Sequence, residues 1–179
     1  MKHLTDKLRL LAALRFGSSF AVVALLFIAL PAKAAPGDLI GDPAPDFALR
    51  SVAHGNIRFS EYRSQIVVLT FRSDWCGRCN TLLPLLNDMQ ALHGSDDIQI
   101  LAVDVDGDPE QALDLLEEQA INFPLLLDTR QQVSRNYDLN RLPVTLVIDR
   151  AGTVRSVYQG AKSEARQQLQ ADVASLMAE

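Results

Sequence analysis

Two cysteines, Cys76 and Cys79, constrain this chain more than any other feature, because they are its only cysteines among 179 residues. They follow the apolar run 66–71 and precede a segment with helical periodicity. A C-x-x-C pair between a buried strand and a helix is typical of redox-active dithiols. Because the thiolate is the reactive form and a helix N-terminus stabilises negative charge, Cys76 is predicted to be the reactive thiol. Cys79 lies one helical turn further on, so its sulfur can meet that of Cys76.

The first 34 residues are predicted to be an export signal. Basic residues precede an apolar run over residues 16–30, and the small residues Ala32 and Ala34 fit an A-x-A cleavage site. This run is shorter than the roughly 20 residues that a membrane-spanning helix needs. We therefore expect cleavage after Ala34 and a periplasmic protein. The alternative is that residues 10–30 remain as an anchor in the inner membrane.

Charge and length exclude several classes of function. The predicted signal holds five of the 17 basic and one of the 22 acidic residues, so the remaining 145 residues carry a net charge of −9. Nucleic acid is therefore not an expected partner, because its binding requires a basic surface. A chain of this length can bury a core as one domain without disulfide staples. The single cysteine pair is accordingly predicted to react with partners rather than to hold the fold together.

Hydrophobic periodicity predicts strands that alternate with helices. Residues 35–46 contain three prolines and two glycines and are predicted to be an extended lead-in without regular structure. In the domain over 47–179, a hairpin precedes the order β-α-β-α-β-α-β-β-α, with Asp108-Pro109 as the start signal of the second helix. Pro84 is predicted to kink the first helix, because it removes the hydrogen bond to the carbonyl of Asn80. This order indicates an α/β fold in which helices cover both faces of a central mixed β-sheet.

Several motifs between residues 41 and 178 have the spacing of a known family. They are Gly41-Asp42-Pro43-Ala44-Pro45-Asp46-Phe47, Trp75-Cys76-Gly77-Arg78-Cys79, Pro84, Asp104-Val105-Asp106 and Leu142-Pro143-Val144-Thr145. On these residues the chain resembles the thioredoxin fold and, more closely, the exported TlpA/ResA-like thiol-disulfide oxidoreductases of the AhpC/TSA-redoxin superfamily. The resemblance implies a thioredoxin-like α/β fold with an N-terminal β-hairpin extension.

The resemblance also assigns roles to the site residues. It implies a redox disulfide between Cys76, the nucleophile, and Cys79, the resolving cysteine. The supporting residues at the active site and for substrate binding are Trp75, Gly77, Arg78, Leu142 and Pro143. It implies further that Pro143 is a cis-proline facing the cysteines, so that the backbone around Leu142 offers hydrogen-bonding groups to a substrate chain.

The implied activity is the reduction of disulfides in exported partner proteins by dithiol exchange. A membrane thiol donor would reduce the protein again, and cytochrome c maturation is one setting in which such proteins work. The resemblance implies no cofactor, and we expect a monomer. Whether the protein reduces or oxidises its partners depends on its reduction potential, which the sequence does not set.

Two positions depart from the family pattern. Thr70 lies six residues before the first cysteine, where such proteins usually have an acidic residue, so the proton of Cys79 must leave through another group or water. The charged residues that are close in sequence are Glu61, Arg72 and Asp74. Arg78 replaces the commoner proline: its guanidinium either lowers the pKa of the reactive thiol and makes the pair more oxidising, or points into solvent.

A peroxiredoxin-like peroxidase is the nearest enzymatic alternative, because its lead-in resembles Pro45-Asp46-Phe47. Such an enzyme requires proline seven residues and threonine three residues before the reactive cysteine. Leu69 and Ser73 occupy those positions.

Binding without catalysis is the other alternative. Two thiolates can hold copper(I), and an inert disulfide can belong to a thioredoxin-like module that only binds a partner. Structural zinc needs four ligands, and the remaining histidines, His54 and His93, have no useful spacing. No metal site is therefore predicted.

Overall fold

The computed structural model of the protein describes residues 36–179, in which α-helices flank a seven-stranded mixed sheet. The predicted export signal, residues 1–34, lies outside the described residues. Within residues 36–179, no helix has the length and apolarity that crossing a membrane requires.

The strands and helices follow the predicted order. The strands are β1 (Ala48–Ser51), β2 (Asn56–Arg58), β3 (Ile66–Arg72), β4 (Ile98–Asp104), β5 (Leu125–Leu127), β6 (Val144–Ile148) and β7 (Val154–Gln159). The helices are α1 (Leu83–Asp97), α2 (Pro109–Glu118), α3 (Gln132–Asn136) and α4 (Ser163–Met177). In the sheet, the order is β2-β1-β5-β4-β3-β6-β7. Strand β4 runs parallel to β3 and β5, whereas the other pairs are antiparallel.

Each face of the sheet has its own apolar core, because successive residues of a strand point to opposite faces. On one face, Ile66 and Val68 of β3 join side chains of α1, α2 and α4. On the other face, Val67 and Leu69 join side chains of α3 and of the N-terminal hairpin. Every residue of β3 is buried. This two-sided burial explains why the strand is a continuous apolar run, and it confirms the predicted fold class.

The predicted lead-in does contain regular structure, so this part of the prediction was wrong. It begins with a 3-10 helix, Pro36–Leu39, and then pairs with the start of β7. The Gly41 N–H donates to the carbonyl of Val154 at 2.8 Å, and the Val154 N–H donates to the carbonyl of Asp42 at 3.0 Å. Because β7 is an edge strand, its outer backbone groups lack strand partners, and the lead-in supplies partners for those of Val154 at its start.

Pro84 lies in the first turn of α1 and does not kink a helix interior. Helical structure after the cysteine pair begins as a 3-10 helix, Cys79–Leu82, and α1 begins at Leu83. The Leu83 N–H donates to the carbonyl of Asn80, the group that Pro84 was predicted to leave without its bond. Proline fits here because the first N–H groups of a helix have no partner within it.

Gly107, between β4 and α2, permits a close approach of two loops. Its φ is +67°, and a Cβ there would lie 2.4 Å from the Cα of Thr129. We predict that Gly107→Ala lowers the free energy of unfolding by roughly 2–5 kcal/mol, through left-handed strain and overpacking. Gly55→Ala is the control, because Gly55 has a φ of +74° but open space around its Cβ position. Denaturant titration should show a loss of only about 1–2 kcal/mol for Gly55→Ala; equal losses would contradict the role of the contact.

Candidate active site

The two cysteines lie just beyond the carboxyl end of β3 and form a disulfide. Their Sγ atoms are 2.09 Å apart, and their Cα atoms are 5.4 Å apart. The Cys79 N–H donates to the carbonyl of Cys76 at 2.9 Å, so a tight turn joins them, and helical structure begins only at Cys79. Cys76 is partly exposed, whereas Cys79 is only 2% exposed. A disulfide on another molecule therefore reaches Cys76 more easily than Cys79.

Leu142 and Pro143 precede β6, the strand that pairs with β3 on the side opposite β4. The peptide bond between them is cis, as the resemblance implied. Pro143 is buried and its carbonyl accepts a hydrogen bond from the Gly160 N–H at 2.8 Å, while Leu142 remains partly exposed. Leu142 and Trp75 line the same pocket, which shows that this segment and the cysteine motif are neighbours.

Trp75 is 73% exposed, an unusual state for a large aromatic side chain. Its indole Nε1–H donates to Asp106 at 3.0 Å, and the Asp74 N–H donates to the other carboxylate oxygen of Asp106 at 2.7 Å. Two hydrogen bonds from Asp74 and Trp75 to Asp106 thus fix the loop after β3 against the loop after β4. Most of the Trp75 surface therefore remains accessible beside the cysteine pair.

Arg72, the last residue of β3, is buried with 1% exposure and holds several parts of the site together. Its guanidinium forms ion pairs with Asp104, at the end of β4, and with Asp74. It also donates to the side-chain oxygen of Asn80 at 3.3 Å, in the 3-10 helix that contains Cys79. A single side chain therefore ties both ends of the cysteine loop to β4.

Asp104 connects this ion pair to the next loop. Its carboxylate accepts hydrogen bonds from the N–H groups of Asp106 and Gly107 at 3.0 and 3.1 Å. Burial raises the pKa of Asp104 above the ordinary carboxyl value, although Arg72 and these two N–H groups favour its charged form. The carboxylate therefore depends on its partners to remain charged in the interior. The sequence analysis did not predict this network. The signal that could have indicated it is the charged residue at the end of each of two apolar strands, Arg72 of β3 and Asp104 of β4.

Thr70 forms a hydrogen bond with Thr145 on β6, with 3.0 Å between the hydroxyl oxygens, and both side chains are buried. The position that is usually acidic in the family thus belongs to a neutral pair. Of the three charged residues considered from sequence, Arg72 and Asp74 form an ion pair with each other. The third, Glu61, lies near Tyr62. Burial and the charge of Glu61 raise the pKa of Tyr62. Among residues 36–179, no hydrogen bond or ion pair joins any of these three to Cys79.

Gly77 and Arg78 lie between the cysteines and are both exposed. A Cβ at Gly77 would meet no atom within 4 Å, so the backbone does not require glycine there. In the part of the chain that the structure describes, the Arg78 guanidinium forms no ion pair. The Arg78 carbonyl accepts hydrogen bonds from the N–H and hydroxyl of Thr81, which begin the 3-10 helix.

Oxygens of three carboxylates, those of Asp74, Asp104 and Asp106, lie within 4.8 Å of one another. Such a cluster resembles a cation site, but the guanidinium of Arg72 already pairs with two of the three carboxylates, those of Asp74 and Asp104. Both oxygens of Asp106 and the second oxygen of Asp104 accept hydrogen bonds from Trp75 or from backbone N–H groups. The arrangement is that of an ion-pair network that supports the cysteine loop.

The mixed sheet, with a C-x-x-C pair after β3 and a cis-proline before β6, defines a thioredoxin-fold dithiol protein. The chain belongs to the AhpC/TSA family, whose family model matches residues 40–157.

Individual relatives agree with this assignment. The thiol-disulfide oxidoreductase ResA of Geobacillus kaustophilus is 32% identical over 126 residues, which span 70% of this chain and 72% of that protein. ResA of Bacillus subtilis is 31% identical over 124 residues, covering 69% of each chain. Among solved structures, a putative thiol:disulfide interchange protein DsbE from Chlorobium tepidum superposes with a TM-score of 0.73 at 30% identity. That superposition covers 77% of this chain and 97% of the DsbE chain.

Proposed function

We propose that this protein is an exported thiol-disulfide oxidoreductase, which reduces disulfides of periplasmic partner proteins through Cys76 and Cys79. The observation that carries the proposal is the unequal exposure of the two cysteines, 2% for Cys79 against a partly exposed Cys76. This arrangement suits an outer nucleophile and an inner resolving thiol. The similarity to proteins named thiol-disulfide oxidoreductases supports the same reaction class.

The exchange proceeds in two balanced steps. The Cys76 thiolate attacks one sulfur of the substrate disulfide, forms a mixed disulfide and releases the other substrate sulfur as a thiolate, which takes up a proton. Cys79 then loses its proton and attacks Cys76, which breaks the mixed disulfide and frees the second substrate thiol. Two electrons pass to the substrate, and the protein ends with the Cys76–Cys79 disulfide. A supplied dithiol returns the protein to its reduced state.

The cellular setting is a part of the proposal that the resemblance supports. In this setting residues 1–34 direct export and are cleaved after Ala34, and the domain over 47–179 acts as a monomer. A thiol donor in the membrane reduces the protein, and cytochrome c maturation is one process that uses such a reductant.

Insulin reduction driven by a supplied dithiol tests the reaction class, together with the reduction potential of the cysteine pair against glutathione. We expect catalysis and a potential nearer to the reducing end of the range for thioredoxin-fold proteins, about −270 mV, than to the oxidising end, about −120 mV. A potential at the oxidising end would overturn the reductase assignment. Stoichiometric consumption of hydrogen peroxide would instead favour the peroxidase alternative.

Arg78 provides a test of how the motif sets its potential. If the guanidinium stabilises the reduced form, Arg78→Gln makes the potential more negative by about 5–20 mV, the size expected for an exposed charge. Arg63→Gln removes another exposed charge, outside the motif, and should leave the potential unchanged. An unchanged potential in Arg78→Gln would show that this side chain only faces solvent.

A further inference from the structure

A pocket of about 310 Å³ lies beside the cysteine motif, at Trp75, and has no part in the exchange chemistry described above. Trp75, the neighbour of Cys76, forms one side of it, and Leu142, the neighbour of the cis-proline, forms another. Helix α3 and the loop 139–141 that follows it complete the wall. A partner that brings a disulfide to Cys76 therefore places its neighbouring residues at this pocket.

The pocket is cationic, although the chain beyond the predicted signal carries a net charge of −9. Arg135 and Arg141 line it, both are exposed, and no aspartate or glutamate is among the lining residues. Within residues 36–179, neither guanidinium forms an ion pair with a carboxylate. The Arg135 guanidinium donates to the carbonyl of Arg130 at 2.7 Å, a bond that orients it. The carboxylate of Asp106, beside this wall, is already occupied by Trp75 and a backbone N–H.

Apolar groups lie beside the two arginines in the lining, together with the polar side chains of Gln131, Ser134 and Asn140. Val105, Leu139 and the exposed indole of Trp75 contribute the apolar groups. A guanidinium binds a carboxylate through two parallel hydrogen bonds, and apolar surface beside it accommodates an aliphatic or aromatic side chain. The combination matches a peptide segment in which carboxylates flank an apolar residue.

We propose that this arginine pocket docks an acidic segment of the disulfide-bearing partner protein, next to the disulfide that Cys76 attacks. The inference rests on the proposed function and adds a substrate preference to it. The overall negative charge of the protein repels acidic partners, so the two arginines supply local complementarity where the partner must approach.

Three synthetic peptides test the proposal on the reduced protein. Each has one internal disulfide with a leucine beside it, and the flanking residues are glutamate, glutamine or lysine. The second-order rate constant for oxidation of the protein by each peptide is measured at low and high ionic strength. Hydroxyethyl disulfide serves as an uncharged reference for the dithiol chemistry itself.

We expect the glutamate peptide to react about three- to tenfold faster than the lysine peptide at low ionic strength, with the glutamine peptide between them. The difference should shrink at 1 M salt, where the screening length is about 3 Å. In the double variant Arg135→Glu/Arg141→Glu, the preference should reverse in favour of the lysine peptide. A reversal, unlike a loss, does not arise from misfolding. The control Arg50→Glu/Arg63→Glu changes the net charge equally at exposed positions outside the pocket and should keep the original preference.

Equal rates for the three peptides, with normal oxidation by hydroxyethyl disulfide, would overturn the docking proposal and leave the proposed function intact. A reversal that also occurs in the control variant would overturn it too, because net charge alone would then explain the preference. Failure to react with any disulfide, including the uncharged reference, would overturn the proposed function and the inference with it.

Discussion

Replacing Cys79 with alanine is expected to trap the protein in a mixed disulfide with its substrate. The Cys76 thiolate still attacks, but no second thiol is present to break the new bond. Each protein molecule should therefore consume no more than one equivalent of substrate disulfide, and a covalent adduct should accumulate on non-reducing gels. Mass spectrometry of the adduct should locate the bond at Cys76. Cys79→Ser serves as a second variant, because it retains nearly the same volume at this buried position.

Cys76→Ala is the matched variant, since it removes the other member of the same pair. Cys79 is 2% exposed, so its sulfur is shielded from a protein substrate. We expect the adduct yield to fall about tenfold or more relative to Cys79→Ala. A higher yield in Cys76→Ala would show that the nucleophile and the resolving cysteine have been assigned the wrong way round. Circular dichroism of each variant checks that it has folded.

Much of the fold could be predicted because its signals are local. Asp108 followed by Pro109 predicted the start of a helix, and in the structure α2 begins at Pro109 with the Asp108 carboxylate accepting from the N–H groups of Glu110 and Gln111. The apolar run 66–71 predicted a strand buried on both faces, which β3 is. In both cases, the residues that decide the structure are adjacent in the chain.

The helix start at Pro84 and the support of the site could not be predicted in the same way. Whether Pro84 kinks a helix or begins one depends on a single 3-10 turn, whose hydrogen bonds differ from those of an α-helix by one residue. The pairs Arg72–Asp104 and Trp75–Asp106 join residues about thirty positions apart. They form only because the ends of β3 and β4 meet at one edge of the sheet, in a register that the separate strands do not encode.

Asp104→Ala is expected to be the most destabilising substitution at the site outside the cysteines. It leaves the guanidinium of Arg72, which is 1% exposed, without its buried partner, and it removes the acceptor for the N–H groups of Asp106 and Gly107. Removing one member of a buried ion pair typically costs about 3–5 kcal/mol. Asp74→Ala is the comparison, because Asp74 pairs with the same guanidinium but its side chain is 29% exposed. Water can replace it there, so we expect a loss of about 1 kcal/mol or less.

The sole tryptophan, Trp75, reports on the cysteine loop in the same variants. Asp106, which holds the indole, is positioned by its own N–H bond to Asp104. Asp104→Ala should therefore increase the rotational freedom of Trp75, seen as lower fluorescence anisotropy below the unfolding transition. Asp104→Asn retains a hydrogen-bond acceptor without the charge, and we expect its stability and anisotropy to lie between those of the wild type and the alanine variant. The proposal that Asp104, at the end of β4, positions the cysteine loop would be contradicted if Asp104→Ala and Asp74→Ala lost equal stability and neither changed the anisotropy. Because Trp75 adjoins Cys76, a looser loop should also slow the attack on a protein disulfide more than the attack on hydroxyethyl disulfide.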